Sequence, residues 1–318
     1  MTIPTRPDEP PGDVGSQPEG AKPISGILLL DKPPTLSSNA ALQRVRRLYG
    51  RVKAGHTGTL DPLASGLLPI CLGEATKFTG QLLSSDKTYR ACLRLGWRSS
   101  TGDAEGELTE VAAPDFDDVR LSAAVASLSG EIEQVPPMYS ALKRNGQPLY
   151  ALARKGIRVE RQARRIRILN LEARRLDEQT LEILVTCSKG TYIRTLAEDL
   201  GEQLGCGAYL TALRRLAIGP FDLSDAVRLD ELEQMPAPRR AGVLKPIDLL
   251  LGDMTMVRLS MAESRRLLNG LLVRGLENVA PGSVRVYSEQ GDFLGLGEVL
   301  DDGSLKPKRL ISSTRLSL

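Results

Sequence analysis

Gly55 to Pro69, read as Gly-His-Thr-Gly-Thr-Leu-Asp-Pro-Leu-Ala-Ser-Gly-Leu-Leu-Pro, holds the best-placed candidate for chemistry in the chain. Asp61 is the only carboxylate in that stretch, and Pro62 behind it fixes its own φ and pushes Asp61 toward extended geometry. The acid is therefore held on an irregular turn. Gly55, Gly58 and Gly66 can take positive φ or admit a close neighbour, as a loop folded around a substrate requires. His56, the only histidine, lies five residues before the acid. Residue chemistry alone leaves a second reading open, because Asp-Pro and glycine-rich runs also mark ordinary surface turns.

The rest of the composition narrows the chemistry by exclusion. A single histidine rules out the H-E-x-x-H metalloprotease signature, and a Ser-His-acid triad could use only His56. Cys71, Cys92, Cys187 and Cys206 show no C-x-x-C spacing, so they suggest neither a zinc ribbon nor a disulfide framework, and no metal is expected. Gly205-Cys206-Gly207 and Gly295-Leu296-Gly297 each lack the third glycine of a dinucleotide fingerprint, and there is no Walker-type loop. With 41% hydrophobic and 25% charged residues the chain reads as soluble and globular. No stretch is apolar enough to span a membrane and the N-terminus lacks a secretory core, so a cytoplasmic protein is expected.

At 318 residues a main domain and a smaller one are expected. Residues 1–23, rich in Pro and Gly and carrying Asp8, Glu9, Asp13 and Glu19, read as a disordered tail. Ile27-Leu28-Leu29-Leu30 reads as a buried strand closed by Asp31-Lys32-Pro33. A helix follows, capped by Ser37 or Ser38, with Leu42, Val45 and Tyr49 at helical spacing and Gly50 as its stop. It leads into the Asp61 loop. A strand is predicted from Lys87 to Leu95, a polar loop at Thr101–Gly106, and an amphipathic helix on Leu121, Ala124, Val125 and Leu128. Ile166 and Ile168, then Leu181, Ile183 and Val185, alternate as in strands. A helix begins near Ile193 and stops at Gly205, and Leu210, Leu213 and Leu216 suggest a second short one.

Net charge is +3, but its distribution is uneven. Between Arg154 and Arg175, Arg154, Lys155, Arg158, Arg161, Arg164, Arg165, Arg167, Arg174 and Arg175 far outnumber Glu160 and Glu172. A solvated face does not need so many arginines with so few acids, and guanidinium forks match phosphate oxygens, so phosphate contacts are expected from Arg154, Lys155, Arg158, Arg161, Arg164 and Arg165. After residue 250 the pattern changes again. Ser260 and Glu263 have capping-box spacing, Gly270 ends that helix, and strand-like runs follow at Val284 to Tyr287 and Phe293 to Leu296.

The wording Gly-His-Thr-Gly-Thr-Leu-Asp-Pro-Leu-Ala-Ser-Gly resembles the catalytic motif of the bacterial tRNA pseudouridine synthases that modify uridine 55 (tRNA numbering) in the T-loop. Four further motifs resemble that family in the same order: Leu30-Asp31-Lys32-Pro33, Ser85-Asp86-Lys87-Thr88-Tyr89-Arg90, Met138-Tyr139-Ser140-Ala141-Leu142-Lys143 and Gly190-Thr191-Tyr192-Ile193-Arg194. The resemblance covers roughly residues 24 to 220.

It implies an α+β pseudouridine synthase fold, with a large mixed, mainly antiparallel sheet flanked by helices. It also implies a catalytic domain over 24–250 with a thumb-like RNA-binding insertion at about 135–165, and a small β-rich PUA-like RNA-binding domain over 251–318. Asp61 would be the nucleophile, Arg194 its ion-pair partner, and Tyr89 the aromatic that packs on the base and is a candidate to take the C5 proton. Tyr192 and Leu213 would shape the uracil pocket, and His56 would fill the space left by a flipped nucleotide. The implied partner is the T-arm of tRNA, and the reaction needs no cofactor; a monomer is expected, because a protein that grips such an RNA by itself has no need of a partner subunit. An RNA-binding protein without catalysis would leave Asp61 unexplained, and a retaining glycosidase would need a second catalytic acid, which the Asp61 stretch lacks.

Overall fold

The computed structural model describes residues 24–312 apart from positions 141, 145, 158 and 253. The expected tail over 1–23, the expected phosphate contact Arg158 and Ala141 of the fourth motif lie outside the described residues. Ten strands of the described residues form one mixed sheet. Across it run Val227–Arg228, Gly26–Lys32, Ser65–Leu72, Ala208–Ile218, Lys87–Leu95, Thr180–Cys187, Arg164–Asp177 and Gly130–Gln134, while Ala54–His56 and Phe221–Asp222 pair at the side. Two pairings are parallel, Gly26–Lys32 with Val227–Arg228 and Ala208–Ile218 with Ser65–Leu72; the others are antiparallel.

The strand Gly26–Lys32 is buried on both faces, and its period of two divides it between two cores. Leu28 and Leu30 join Ala41, Leu42 and Val45 of the helix Ser38–Leu48, and Ile27 and Leu29 join Phe78, Leu82 and Ile218 on the opposite side. The helix Ser38–Leu48 forms where the sequence predicts it: the Ser37 side chain accepts from the Ala40 amide, and Arg46 and Arg47 lie in the last turn, where cations suit the helix dipole. Thr180–Cys187 alternates strictly, sending Leu181, Ile183, Val185 and Cys187 into the larger core.

The second short helix expected on Leu210, Leu213 and Leu216 is a strand, Ala208–Ile218. A bulge between Leu210 and Ala212 inserts one residue opposite Lys87–Leu95, so Leu210 and Leu213 both reach the core at a spacing of three. One bulge thus imitates helical periodicity. Arg164 and Arg165, expected inside the insertion, open the strand Arg164–Asp177 and pair with Gln134 and Glu133. Between those edges the chain leaves the sheet as a small hairpin, Lys143–Arg144 with Gln147–Pro148, and the helix Leu149–Ala153.

A second sheet, in the order Met256–Leu259, Gly282–Ser288, Phe293–Val299 and Leu305–Leu310, packs with the helix Met261–Leu268 around its own core. The capping box of Ser260 and Glu263 is present. This sheet docks on the main body: Phe293 meets Phe78 edge-on at 5.6 Å between ring centroids, and Tyr287 donates to Asp248 at 2.7 Å. Among the described residues no helix is long and apolar enough to cross a membrane.

Candidate active site

Asp61 sits between the short strand Ala54–His56 and the strand Ser65–Leu72, on a loop tied down from several sides. The Ser38 hydroxyl accepts from the Leu60 amide and donates to the Leu60 carbonyl, both at 2.8 Å. The Thr35 amide donates to the Pro62 carbonyl at 2.7 Å, and Arg215 donates to the Gly58 carbonyl at 3.0 Å. The residues on both sides of Asp61 are therefore fixed while its own carboxylate stays 40% exposed. Two glycines are required here. Gly66 has φ +98° and any Cβ on it would collide with the Arg215 backbone, and Gly58, at φ +101°, faces the Arg215 guanidinium.

Arg194, at the start of the helix Ile193–Gln203, meets the acid: its Nη2 lies 3.0 Å from Asp61 Oδ2. The same guanidinium donates to the carbonyls of Thr101, at 3.1 Å, and Tyr139, at 2.7 Å, and lies 3.4 Å from Asp103 Oδ2. Asp103 is 2% exposed, and its Oδ1 accepts from the Thr101 hydroxyl and the Glu105 amide. It is a second acid beside the site, from outside the matching motifs, but it is buried and saturated. Its geometry makes it an anchor for Arg194 and leaves Asp61 as the acid that can meet a substrate.

Burial raises the Asp61 pKa, Arg194 and Lys32 oppose that rise, and Asp103 adds to it. Lys32 is fully buried and donates to the carbonyls of Pro33 and Leu36; burial brings its pKa down to about 8, against the pull of Asp61. His56 is half-buried, its Nδ1 has no hydrogen-bond partner, and burial followed by the charge of Arg215 lowers its pKa, so it is neutral at pH 7. A neutral ring suits packing better than proton carriage.

Tyr89 lies in the strand Lys87–Leu95, 9% exposed, with Val185 and Arg215 as its cross-strand partners. Burial raises its phenol, and Arg215 opposes the rise. Tyr192 precedes the Arg194 helix; its amide donates to Gln134 and its carbonyl accepts from the Gln134 side chain. Leu213, 8% exposed, lines a cleft of about 610 Å³ with Pro34, Leu63, Ser65 and Arg90. That cleft opens beside the Asp61 loop rather than on the carboxylate, which is not part of its lining.

The phosphate-contact candidates are dispersed. Arg154 and Lys155 are exposed in the turn after Leu149–Ala153, with Arg154 over the Tyr150 ring at 5.7 Å. Arg161 is half-buried and donates to the Pro136 carbonyl, and Arg164 and Arg165 are exposed at the start of the strand Arg164–Asp177. Sequence reasoning passed over Ser38 as a loop clamp, Lys32, Asp103 and Arg215 as site residues. Lys32 stands in a matching motif but without a role, Arg215 is one charge of an Arg-Arg pair, and the burial of both becomes apparent with the sheet that encloses them.

Fold and site together define a class of protein in which one mixed sheet presents an accessible, arginine-paired aspartate on a clamped loop. Residues 46–193 match the model "TruB family pseudouridylate synthase (N terminal domain)", 194–252 match "tRNA pseudouridylate synthase B C-terminal domain", and 255–311 match "Pseudouridine synthase II TruB, C-terminal". The chain is 54% identical to tRNA pseudouridine synthase B of Aromatoleum aromaticum over 91% of its own length and 94% of that protein. It is 50% identical to the protein of the same name from Chromohalobacter salexigens, over 93% of this chain and 97% of that one. The chain belongs to the TruB family of pseudouridine synthases. Its fold is also that of the solved Cbf5-Nop10-Gar1 complex, at TM-score 0.70 and 22% identity over 95% of this chain and 89% of that one.

Proposed function

We propose that the protein converts uridine 55 in the T-loop of tRNA to pseudouridine, with Asp61 as nucleophile. The observation that carries this reading is the Asp61 carboxylate itself: exposed to a ligand, held on a clamped loop, and paired at 3.0 Å with an arginine that Asp103 anchors from behind. The names of the relatives support tRNA as the substrate.

The reaction breaks the N1–C1′ bond, turns the uracil, forms the C5–C1′ bond and moves one proton from C5 to solvent while N1 gains one. It is an isomerisation with no net redox change. Asp61 forms the covalent adduct, at C1′ or at C6, and Arg194 keeps it oriented and favours its ionised form. Tyr89 packs on the base and takes the C5 proton, and Tyr192 and Leu213 bound the uracil pocket. A T-loop uridine is stacked and must be flipped out, at a cost of a few kcal/mol; the neutral ring of His56 fills the space it leaves. Arg154, Lys155, Arg158, Arg161, Arg164 and Arg165 contact phosphates from the insertion at about 135–165, and residues 251–318 act as a PUA-like RNA-binding domain. The protein works as a cytoplasmic monomer.

The test is tritium release from a tRNA transcript labelled at uridine C5, for wild type and Asp61→Asn, and for a substrate whose T-loop uridine is replaced by cytidine. Stoichiometric release that needs both Asp61 and that uridine is expected. Release that survives the uridine replacement would overturn the substrate, and turnover by Asp61→Asn would overturn the mechanism.

A further inference from the structure

Arg215 differs from the other arginines near the Asp61 loop. It is 1% exposed in the middle of the large sheet, and none of the ion pairs among the described residues includes it. Its Nε donates to the Leu67 carbonyl at 2.7 Å and its Nη2 to the Gly58 carbonyl at 3.0 Å. One guanidinium thus joins the strand Ser65–Leu72 to the loop that carries Asp61. Tyr89 is its direct partner across the neighbouring strand. Two carbonyl contacts satisfy part of the fork but leave the charge without a counter-charge, and a buried cation of this kind is a poor device for stability alone.

An anion that exists only during turnover would complete it. We propose that Arg215 is a positioning residue for the isomerisation: it locks the catalytic loop to the sheet and holds its positive charge against the Tyr89 hydroxyl oxygen, so that this oxygen, as phenolate, accepts the C5 proton. In that step the C5–H bond breaks, its electron pair restores the uracil ring, and the proton goes to the Tyr89 oxygen and then to water. The inference rests on the uridine reading above. Burial pushes the phenol up and Arg215 is the largest influence pulling it down, which fits this geometry. The same charge also lowers the neighbouring His56 and Lys87, second to burial, and Lys32, after burial and the opposing pull of Asp61.

The experiment compares wild type, Arg215→Lys, Arg215→Gln and Arg215→Met by single-turnover tritium release at saturating enzyme between pH 6 and 9.5. Filter binding of the tRNA and circular dichroism run alongside. Loss of one preorganised donor to a reacting group predicts a fall of about 100-fold in the rate constant for Arg215→Met. tRNA affinity should hold, and the rising limb of the pH–rate profile should move to higher pH because Tyr89 has lost its cation. Arg215→Lys keeps the charge and should keep the limb in place with a smaller loss. A wild-type rate that does not rise with pH, or lysine and glutamine variants that behave alike, would overturn the inference. If Arg215→Met does not fold, the lysine and glutamine pair makes the same comparison. No release by wild type would instead overturn the uridine reading, and this inference with it.

Discussion

Arg194 and Asp103 lie 3.4 Å apart beneath the active site, both nearly closed off from solvent, and this contact aims the arginine at Asp61. The anchor has an electrostatic side effect, because the Asp103 charge works against ionisation of Asp61 while Arg194 works for it. Asp103→Asn keeps the shape and removes the charge. The acid limb of the pH–rate profile, where activity falls as Asp61 is protonated, should then move to lower pH. The plateau rate should fall by about 10- to 100-fold because a loosened Arg194 no longer fixes the nucleophile. Single-turnover profiles measure both, and an acid limb that moves upward would refute the assignment of Asp103 as the opposing charge.

Burial works against ionisation of Asp61 more than Arg194 and Lys32 work for it. Its folded pKa is raised, chiefly by burial, so the native state binds its proton more tightly than the unfolded chain does. Below the unfolded value of 3.8 this has no effect on stability; as pH rises through the raised folded value, stability is lost, and the loss is complete above it. Asp61→Asn should therefore melt higher than wild type at pH 7 while being inactive. The difference should shrink as the pH approaches 4. Thermal melts across that range decide it, and a variant less stable than wild type at pH 7 would show that the Arg194 pair outweighs desolvation.

The parts of this molecule legible in its sequence are those whose signal is local. Ser37 caps its helix, Ser260 and Glu263 form their box, and Leu181, Ile183 and Val185 alternate into the core as their period demands. The Asp61 loop was visible because proline fixes the backbone and glycine frees it wherever they occur. What was lost depended on partners far away in the chain. Leu210 and Leu213 mimic a helix only because a bulge against Lys87–Leu95 shifts their phase. Asp103 looked like one more polar residue of a turn until Arg194 closed on it, and Leu305–Leu310, with Pro307 and three basic residues, does not read as a strand without the neighbour that pairs with it.

The exposed pair Arg154 and Lys155 should act through phosphate charge alone. Replacing either with alanine should leave the saturated single-turnover rate unchanged and weaken tRNA binding. Each lost phosphate contact lowers the slope of log K against log salt by about 0.7 to 0.9. Binding titrations from low to moderate salt measure that slope. A reduced rate at saturating enzyme with an unchanged slope would place these residues in the closing of the insertion rather than on the RNA backbone.

Ser38 offers the sharpest separation between holding the fold and holding the nucleophile. Its hydroxyl is 2% exposed and serves both backbone groups of Leu60, the residue before Asp61. Ser38→Ala leaves a buried amide and carbonyl unsatisfied, which should destabilise the protein by about 1–3 kcal/mol, readable in a urea melt. Because Thr35 and Arg215 still hold the flanks through Pro62 and Gly58, the loop should stay in place but loosen. The saturated rate should then fall by about 10-fold while tRNA affinity is kept, since a small error in placing the attacking group costs rate rather than binding. Lost stability with a wild-type rate would mean that the Thr35 and Arg215 contacts suffice to aim Asp61, and that Ser38 serves the helix–loop junction alone.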